Sequence, residues 1–530
     1  MMSLLPWFLS FCVGFLSLSV EILWVRVVSF KFHTMPHAFS FVLAMYLVGI
    51  AVGAYVGKLC CKHERHLYLI GAVVLLLSGT FDIMTPRFAG DLLSGGFDNE
   101  GLTSAALAII TTAAIKSVLF PIAHHLGSNA AGNVVGRSVS RIYSGNIAGS
   151  TLGPLLTGFV LLDHFGVEQC FMMIGTAGLA LAGVTALLGD QSRLRALPIA
   201  LALVMLVLLR PWQTPDLVAA LSDKWWDNHR APVGHVIQNK HGIISTSPDA
   251  KHGDIVFGGN VYDGRINVDM DVNSNGLERP FLLGASHPAP RRVLVVGMST
   301  GAWTRVITSF PHVERIDIVE INPGYLQLVA RYPEVAPLLS DPRVHIHIDD
   351  GRRWLRRHPD ATFDLVVQNT TYHWRANATN LLSREYFAEV KSHMRPGAIA
   401  TFNTTGSLDV LRTAQEVFPA AFKFRWFVYV SDHDFRTPPD VAFARLRECR
   451  LDGHPAFEPR HFEPGGIAYK AANLADVIPV STFLTADSSA EIITDQNLLN
   501  EYRHGLKVTL QPFSDIWPPN PHGATYTTPP

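Results

Sequence analysis

The chain has 530 residues, room for two or three domains, a formal net charge of -1, and 16% charged residues against the ~25% usual in soluble proteins. The near-zero charge and the lack of a long Lys/Arg run remove the electrostatic argument for nucleic acid as a partner. Of five cysteines, Cys12, Cys60, Cys61 and Cys170 fall in the apolar first part and only Cys449 beyond it, which excludes a disulfide framework or CxxC metal site in the polar part.

The chain opens MMSLLPWFLSF with no basic region ahead of the apolar run, so it reads as a retained helix and not a cleaved signal. A bilayer core of ~30 Å needs ~20 apolar residues in a helix, because each backbone polar group must pair within its own segment. Six segments approach that length: about 4–30, 38–57, 67–83, 102–123, 142–162 and 167–188. A seventh, Leu197 to Leu209, offers 13 apolar residues, a length that suits a surface-lying segment as well as a span. The pattern predicts a multi-pass transmembrane bundle of six or seven helices over residues 1–210, with the lipid bilayer as a partner. Basic residues gather in alternate loops (Lys58, Lys62 and Arg65; Arg137 and Arg141; Arg193 and Arg195), which places the N-terminus inside. The side on which the C-terminal part lies then turns on whether the seventh segment spans, and both endings stay open.

Within these segments Glu21, Arg26, Lys116 and Asn146 are polar. Charge at the bilayer centre costs ~2.5–3.5 kcal/mol, so Glu21 is expected to face inward and pair, with Lys116 and Arg26 as candidates. Gly49, Gly53 and Gly57, four apart, predict close approach of a neighbouring helix. Adjacent His124 and His125 point about 100° apart on a helix and make a poor chelating pair, so no metal site is predicted.

Residues 211–230 mix Pro, aromatics and charge as a linker would. Short strand-like runs follow (HVIQNK, GIISTS, DIVFGGN, RINVDMDV), predicting a small β lobe over 231–285. From 286 to about 512 apolar strands alternate with helical stretches, the sign of a parallel sheet, and a Pro-rich tail closes the chain over 513–530. RRVLVVG runs into Gly297-Met-Ser299-Thr-Gly301, where glycines allow a tight turn and close approach of backbone to a ligand. IDIVEIN ends in Glu320, 19 residues after Gly301, where an acid can accept both ribose hydroxyl protons. VHIHIDDG delivers Asp349 and Asp350, and FDLVVQN delivers Asn369, at the carboxyl ends of successive strands, where open α/β sheets bind ligands. A Rossmann-like α/β domain of the class I methyltransferase type with a nucleoside site is expected.

Several stretches resemble the polyamine aminopropyltransferase (spermidine synthase) family: YDGRIN at 262–267, SHPAPRRVLVVG at 286–297, VEIN at 319–322, DDG at 349–351, FDLVVQN at 363–369 and LLSREYFAEVKSHMRPGAIATFN at 381–403. FLSLSVEILWVR at 15–26, RIYSGNIAGSTLGPLLTGFVLLDHFG at 141–166 and the closing ITDQNLLNEYRHG at 493–505 are similar to bacterial membrane-embedded proteins that fuse a helical bundle to this domain. The resemblance implies a bacterial-type inner (plasma) membrane location and S-adenosylmethionine or its decarboxylated form as donor. It assigns Gly297, Ser299, Gly301, Glu320, Asp349 and Asp350 to the donor, Asp263 and Asn267 to the substrate, and Asn369, Tyr372 and His373 to the catalytic edge.

Where the family carries an acid in the glycine loop this chain has Thr300, and its Asp-Ser-Ser-Asp reads Asn369-Thr370-Thr371-Tyr372. An amide is no carboxylate base, so putrescine is expected to be a poor acceptor, and His373 stands as the substitute base. Two functions are compatible with these residues. One is a membrane-anchored aminopropyl or methyl transferase acting on a small-molecule or membrane-borne acceptor. The other is a non-catalytic scaffold, sensor or transport-related protein with a degenerate domain.

Overall fold

The computed structural model describes residues 5–63, 66–93, 99–129, 135–188, 196–210, 213, 216–222, 224–226, 229–230, 232–369, 372–486, 489–497 and 501. Arg65, Arg193, Arg195, Thr370, Thr371, parts of the 211–230 linker and the Pro-rich tail lie outside the described residues. The chain divides into two compact units, residues 1–231 with 238–243, and residues 232–237 with 244–508; segment 509–530 groups with the first.

The first unit is helical, as its long apolar runs dictate. Its main helices are Leu5–Lys31 (α1), His37–Cys60 (α2), Leu67–Leu92 (α3), Asn99–Ser117 (α4), Leu119–Asn129 (α5), Val135–Leu156 (α6), Val167–Leu188 (α7) and Ala196–Leu209 (α8). Six stretches are long and apolar enough to cross a membrane, with α4 and α5 together making one of them and α8 a shorter apolar helix. α1 packs chiefly on α6, α2 on α4 and α3 on α7. Glycines permit the first two approaches: a side chain at Gly53 would run into the carbonyl oxygen of Ala114, and one at Gly149 into that of Phe11. Leu47, Val52, Tyr55, Phe159 and Val207 turn outward, as a lipid-facing surface would.

The polar residues of the bundle pair differently from expectation. Lys116 Nζ donates to Asp82 Oδ1 at 2.6 Å, with both side chains at most 3% exposed. Arg26 donates to the carbonyl oxygen of Lys240, which groups with this unit, at 2.7 Å. Neither candidate pairs with Glu21, which corrects that expectation. The reason lies in α3: it continues through Pro86 to Leu92, beyond the expected end near residue 83, and so sets Asp82 inside the bundle. Asn146 Nδ2 donates to Ser10 O at 3.2 Å, an interhelical bond between α6 and α1. Trp24 Nε1 reaches Thr112 Oγ1 at 3.2 Å, and the buried Tyr46 hydroxyl donates to Ser17 O at 2.6 Å.

The second unit opens with a four-stranded sheet in the order Val236–Asn239 (β1), Gly242–Ser247 (β2), Ile255–Gly258 (β3) and Val261–Arg265 (β4). The main sheet uses Arg292–Val296 (β5), Arg315–Glu320 (β6), Val344–Ile348 (β7), Phe363–Gln368 (β8), Met394–Asn403 (β9), Ala420–Phe424 (β10), Phe427–Ser431 (β11) and Ile478–Pro479 (β12). Its order is β12-β10-β11-β9-β8-β5-β6-β7, parallel from β9 to β7 and antiparallel from β12 to β9. Central strands such as RVLVV and FDLVVQ are buried on both faces by apolar clusters, the reason they read as near-continuous apolar runs and not alternating ones. Strand order reverses between β5 and β8, the point at which such sheets bind ligands beyond their carboxyl ends.

Candidate functional site

The loop leaving β5 turns through three residues at positive φ, Gly297 (81°), Ser299 (48°) and Gly301 (76°), before helix Ala302–Thr308 (α9). At Gly297 and Gly301 the missing Cβ makes this inexpensive. Ser299 is held in its conformation by a hydroxyl bond to Asp263 O at 2.5 Å, which ties the glycine loop to the β4 edge of the lobe.

Glu320, at the end of β6, is 3% exposed. Its Oε2 accepts the Met298 N–H at 2.7 Å and its Oε1 the Asn322 N–H at 2.8 Å, so the carboxylate braces the glycine loop against its own strand. Burial pushes this acid up to about 7, against those backbone donors and with help from the Asp263 charge. A carboxylate offers about four acceptor positions, so the two used here leave room for ligand hydroxyls. Asp263 is partly buried, and the Tyr325 hydroxyl donates to its Oδ2. Burial raises it to about 6, opposed by Tyr325 and by the charge of Arg375.

A cleft of about 350 Å³ opens at the switch point. β5 and its loop contribute Val295 and Gly297 to Thr300, the first turns of α9 contribute Trp303 and Thr304, β8 and its end contribute Val367 and Asn369, and the lobe side contributes Asp263 and Asn275. The structure thus brings together four of the residues expected from sequence: Gly297, Ser299, Asn369 and Asp263. Gly301 stands at the entry to α9 and Glu320 behind the loop.

The others are used elsewhere in the fold. Asp350 caps helix Gly351–Arg357 (α10), accepting the Arg353 N–H at 2.8 Å. Asp349 pairs with Arg353 and Arg357; although burial pushes it up, the Arg353 guanidinium holds it below its ordinary value. Asn267 spends its amide on His252 O and Ser274 Oγ and its oxygen on the Asp269 N–H, which stiffens a turn of the lobe. His373 is buried with Nδ1 2.6 Å from Thr405 Oγ1. Tyr372 packs against Trp374, ring centroids 5.3 Å apart. Asn369 Oδ1 accepts from Asn403 Nδ2 at 3.1 Å.

Sequence reasoning missed Asn275, Trp303 and Tyr325, which reach the site from loops and helices that carry no strand-end signal. It also missed the work of the closing segment. Asp495 takes both terminal nitrogens of Arg352 at 2.7 and 2.6 Å, and Glu501 accepts the Asn377 and Thr379 N–H groups at 3.0 and 2.7 Å. Both clamp backbone next to the site, one after Asp350 and one after His373.

Residues 282–421 match the family model for the spermine/spermidine synthase domain. The chain carries a spermidine synthase-like domain. Spermidine synthase 2 of Datura stramonium is 28% identical over 149 residues, 27% of this chain and 47% of that protein. The polyamine aminopropyltransferase of Desulforudis audaxviator is 31% identical over 144 residues, 26% of this chain and 52% of that protein. The chain spans about half the length of the curated relatives it matches. Among solved structures, a spermidine synthase in complex with the transition state analogue AdoDATO is 14% identical, covers 48% of this chain and 87% of that one, and has a TM-score of 0.36. Human methyltransferase-like protein 13 in complex with SAH is 21% identical, covers 33% of this chain and 89% of that one, and has a TM-score of 0.26.

Proposed function

We propose that the chain is a membrane-anchored transferase that takes S-adenosylmethionine or its decarboxylated form as donor and moves a methyl or aminopropyl group to a nucleophilic acceptor. The observation that carries this reading is Glu320, a buried carboxylate at the end of the second parallel strand with acceptor positions to spare, bonded to the glycine loop of the cleft. The bound donor supplies an alkyl carbon made electrophilic by its sulfonium. The acceptor's lone pair forms a bond to that carbon, the carbon–sulfur pair retires to sulfur as a neutral thioether, and the acceptor's proton leaves to solvent. Such a step asks the protein chiefly for alignment. In this chain Glu320 would hold the ribose, the Gly297–Gly301 backbone would admit the rest of the donor, and Asn369 would orient the acceptor without taking its proton.

Calorimetry on the purified full chain tests the reading, with S-adenosylmethionine, its decarboxylated form and 5′-methylthioadenosine as probes. Glu320→Ala removes a charge-assisted acceptor worth about 1.5–3 kcal/mol, so affinity should fall roughly ten- to hundredfold. Absence of binding by all three probes to the unaltered protein would overturn it. Putrescine should be turned over far below the ~1–10³ per second typical of enzymes.

The alternative, a non-catalytic scaffold, sensor or transport-related protein, draws on one observation. His373, the base expected at the catalytic edge, is buried and engaged by Thr405. Donor binding without transfer to any amine, thiol or hydroxyl acceptor would favour it.

A further inference from the structure

We propose that Asp263 forms the cation subsite of this cleft, supplying the negative charge that Thr300, Asn369 and Tyr372 do not. The inference rests on the adenosyl reading above and adds the charge class of the ligand. Among the described residues lining the cleft, Asp263 is the single ionisable one; the others are Asn275, Asn369, glycine, hydroxyl, thioether and apolar side chains. A ligand that enters therefore meets one formal charge, and that charge is negative.

The carboxylate is also placed and kept available. The Tyr325 hydroxyl fixes Oδ2, and the Ser299 hydroxyl fixes the residue's own carbonyl, so side chain and backbone are both anchored to the donor-side elements. Gly264, at φ 118°, lets β4 lie against the loop: a Cβ there would stand 3.3 Å from both Asn275 Oδ1 and Thr300 Cγ2. The nearest cationic influence, Arg375, spends a guanidinium N–H on Gly258 O at 3.2 Å and forms no ion pair with Asp263. Glu320, behind the loop, adds a second carboxyl whose charge is felt at Asp263 and raises the negative potential of the floor. A weakly hydrated organic cation, a sulfonium or a primary ammonium, is the ligand class that gains from such a site. A neutral thioether gains nothing from it. Transfer converts the one into the other, so the attraction to Asp263 acts on donor and lapses on product.

The test compares ligands that differ in charge on the full chain. Decarboxylated S-adenosylmethionine, a cation, should bind more tightly than neutral 5′-methylthioadenosine. Asp263→Asn should weaken the cation at least tenfold and leave the thioether within about twofold, which also shows that the variant is folded; Asp263→Glu should recover part of the loss. Tyr325→Phe, which frees the carboxylate without removing it, should give a smaller loss confined to the cation. If Asp263→Asn weakens both ligands equally or neither, the subsite is overturned while the adenosyl reading stands. If no adenosyl probe binds the unaltered protein, both fall together.

Discussion

In the helical unit the buried carboxylate of Asp82 meets the ammonium of Lys116 at 2.6 Å, whereas in the α/β unit Glu320 and Asp263 are held by backbone N–H groups and a tyrosine hydroxyl. The first arrangement cancels its charge internally and leaves nothing for a ligand. The second satisfies hydrogen bonding while keeping the charge, and the cost of burial appears as acids raised to about 7 and about 6. A buried ion pair is compatible with a purely architectural role. Carboxylates held by neutral donors beside a cleft are the mark of a site.

The largest expected effect tests the architectural half of this contrast. Lys116→Ala strands Asp82 in the bundle and should lower stability by about 3–5 kcal/mol, read as thermal unfolding in detergent. Replacing both partners with leucine should restore most of it, because the pair itself contributes little beyond its own neutralisation. A double variant as unstable as the single one would show that the pair has another duty.

Next in size is overpacking at the helix contacts. Gly53→Leu or Gly149→Leu drives a side chain into a carbonyl of the facing helix and should cost about 1–3 kcal/mol by the same measurement. Gly183, where nothing stands within 4 Å, should accept alanine without loss and serves as the control.

The site half is sharpened by pH. Glu320 and Asp263 both sit above their ordinary values of 4.5 and 3.8, so the fold favours their protonated forms. Their contribution to stability is full below the ordinary carboxylate range and is lost as pH rises through about 6 and about 7. Unfolding of the ligand-free protein should therefore show a declining stability from pH 5 to 8, while affinity for an adenosyl cation rises over the same interval. Opposite slopes in these two measurements are the expectation, and parallel slopes would mean that the carboxyls do not face the ligand. Asp263→Asn should remove the lower step and keep the upper.

The smallest effect belongs to His373. Since its ring is committed to Thr405 Oγ1, His373→Gln should change donor affinity less than twofold, a difference that calorimetry resolves from the effect at Glu320.

What the sequence made legible follows from the range of the forces involved. The spans of α1 to α7 are set by apolar length and β5, β6 and β8 by apolar strand composition, both local properties, and these were readable. The glycine loop and Glu320 were readable too, because a tight turn and a strand-end acid have fixed spacing. Asp82 was hidden because a charge followed by Pro86 and Arg87 resembles the end of a span, although the helix continues. Asn275, Trp303 and Tyr325 gain their roles through packing between the lobe and the sheet, which no local pattern encodes. Asn267 and Asp350 bear family motifs yet spend the bonds seen here on a turn and a helix cap, a use that spacing alone does not reveal.

The glycine stripe of α2 has a consequence for alignment. Gly49, Gly53 and Gly57 face the carbonyl oxygens of Ile110, Ala114 and Val118, so both surfaces repeat every four residues. A ruler with identical marks does not say which mark is zero: sliding α2 by one turn, about 5.4 Å, would seat Gly53 where Gly49 now lies and keep two of the three contacts. The tie is broken by a residue outside the repeat, Tyr46, whose hydroxyl reaches Ser17 O on α1 at 2.6 Å and can do so from one position only. That single bond indexes the helix, and Tyr46→Phe would leave α2 with two neighbouring seats between which to choose.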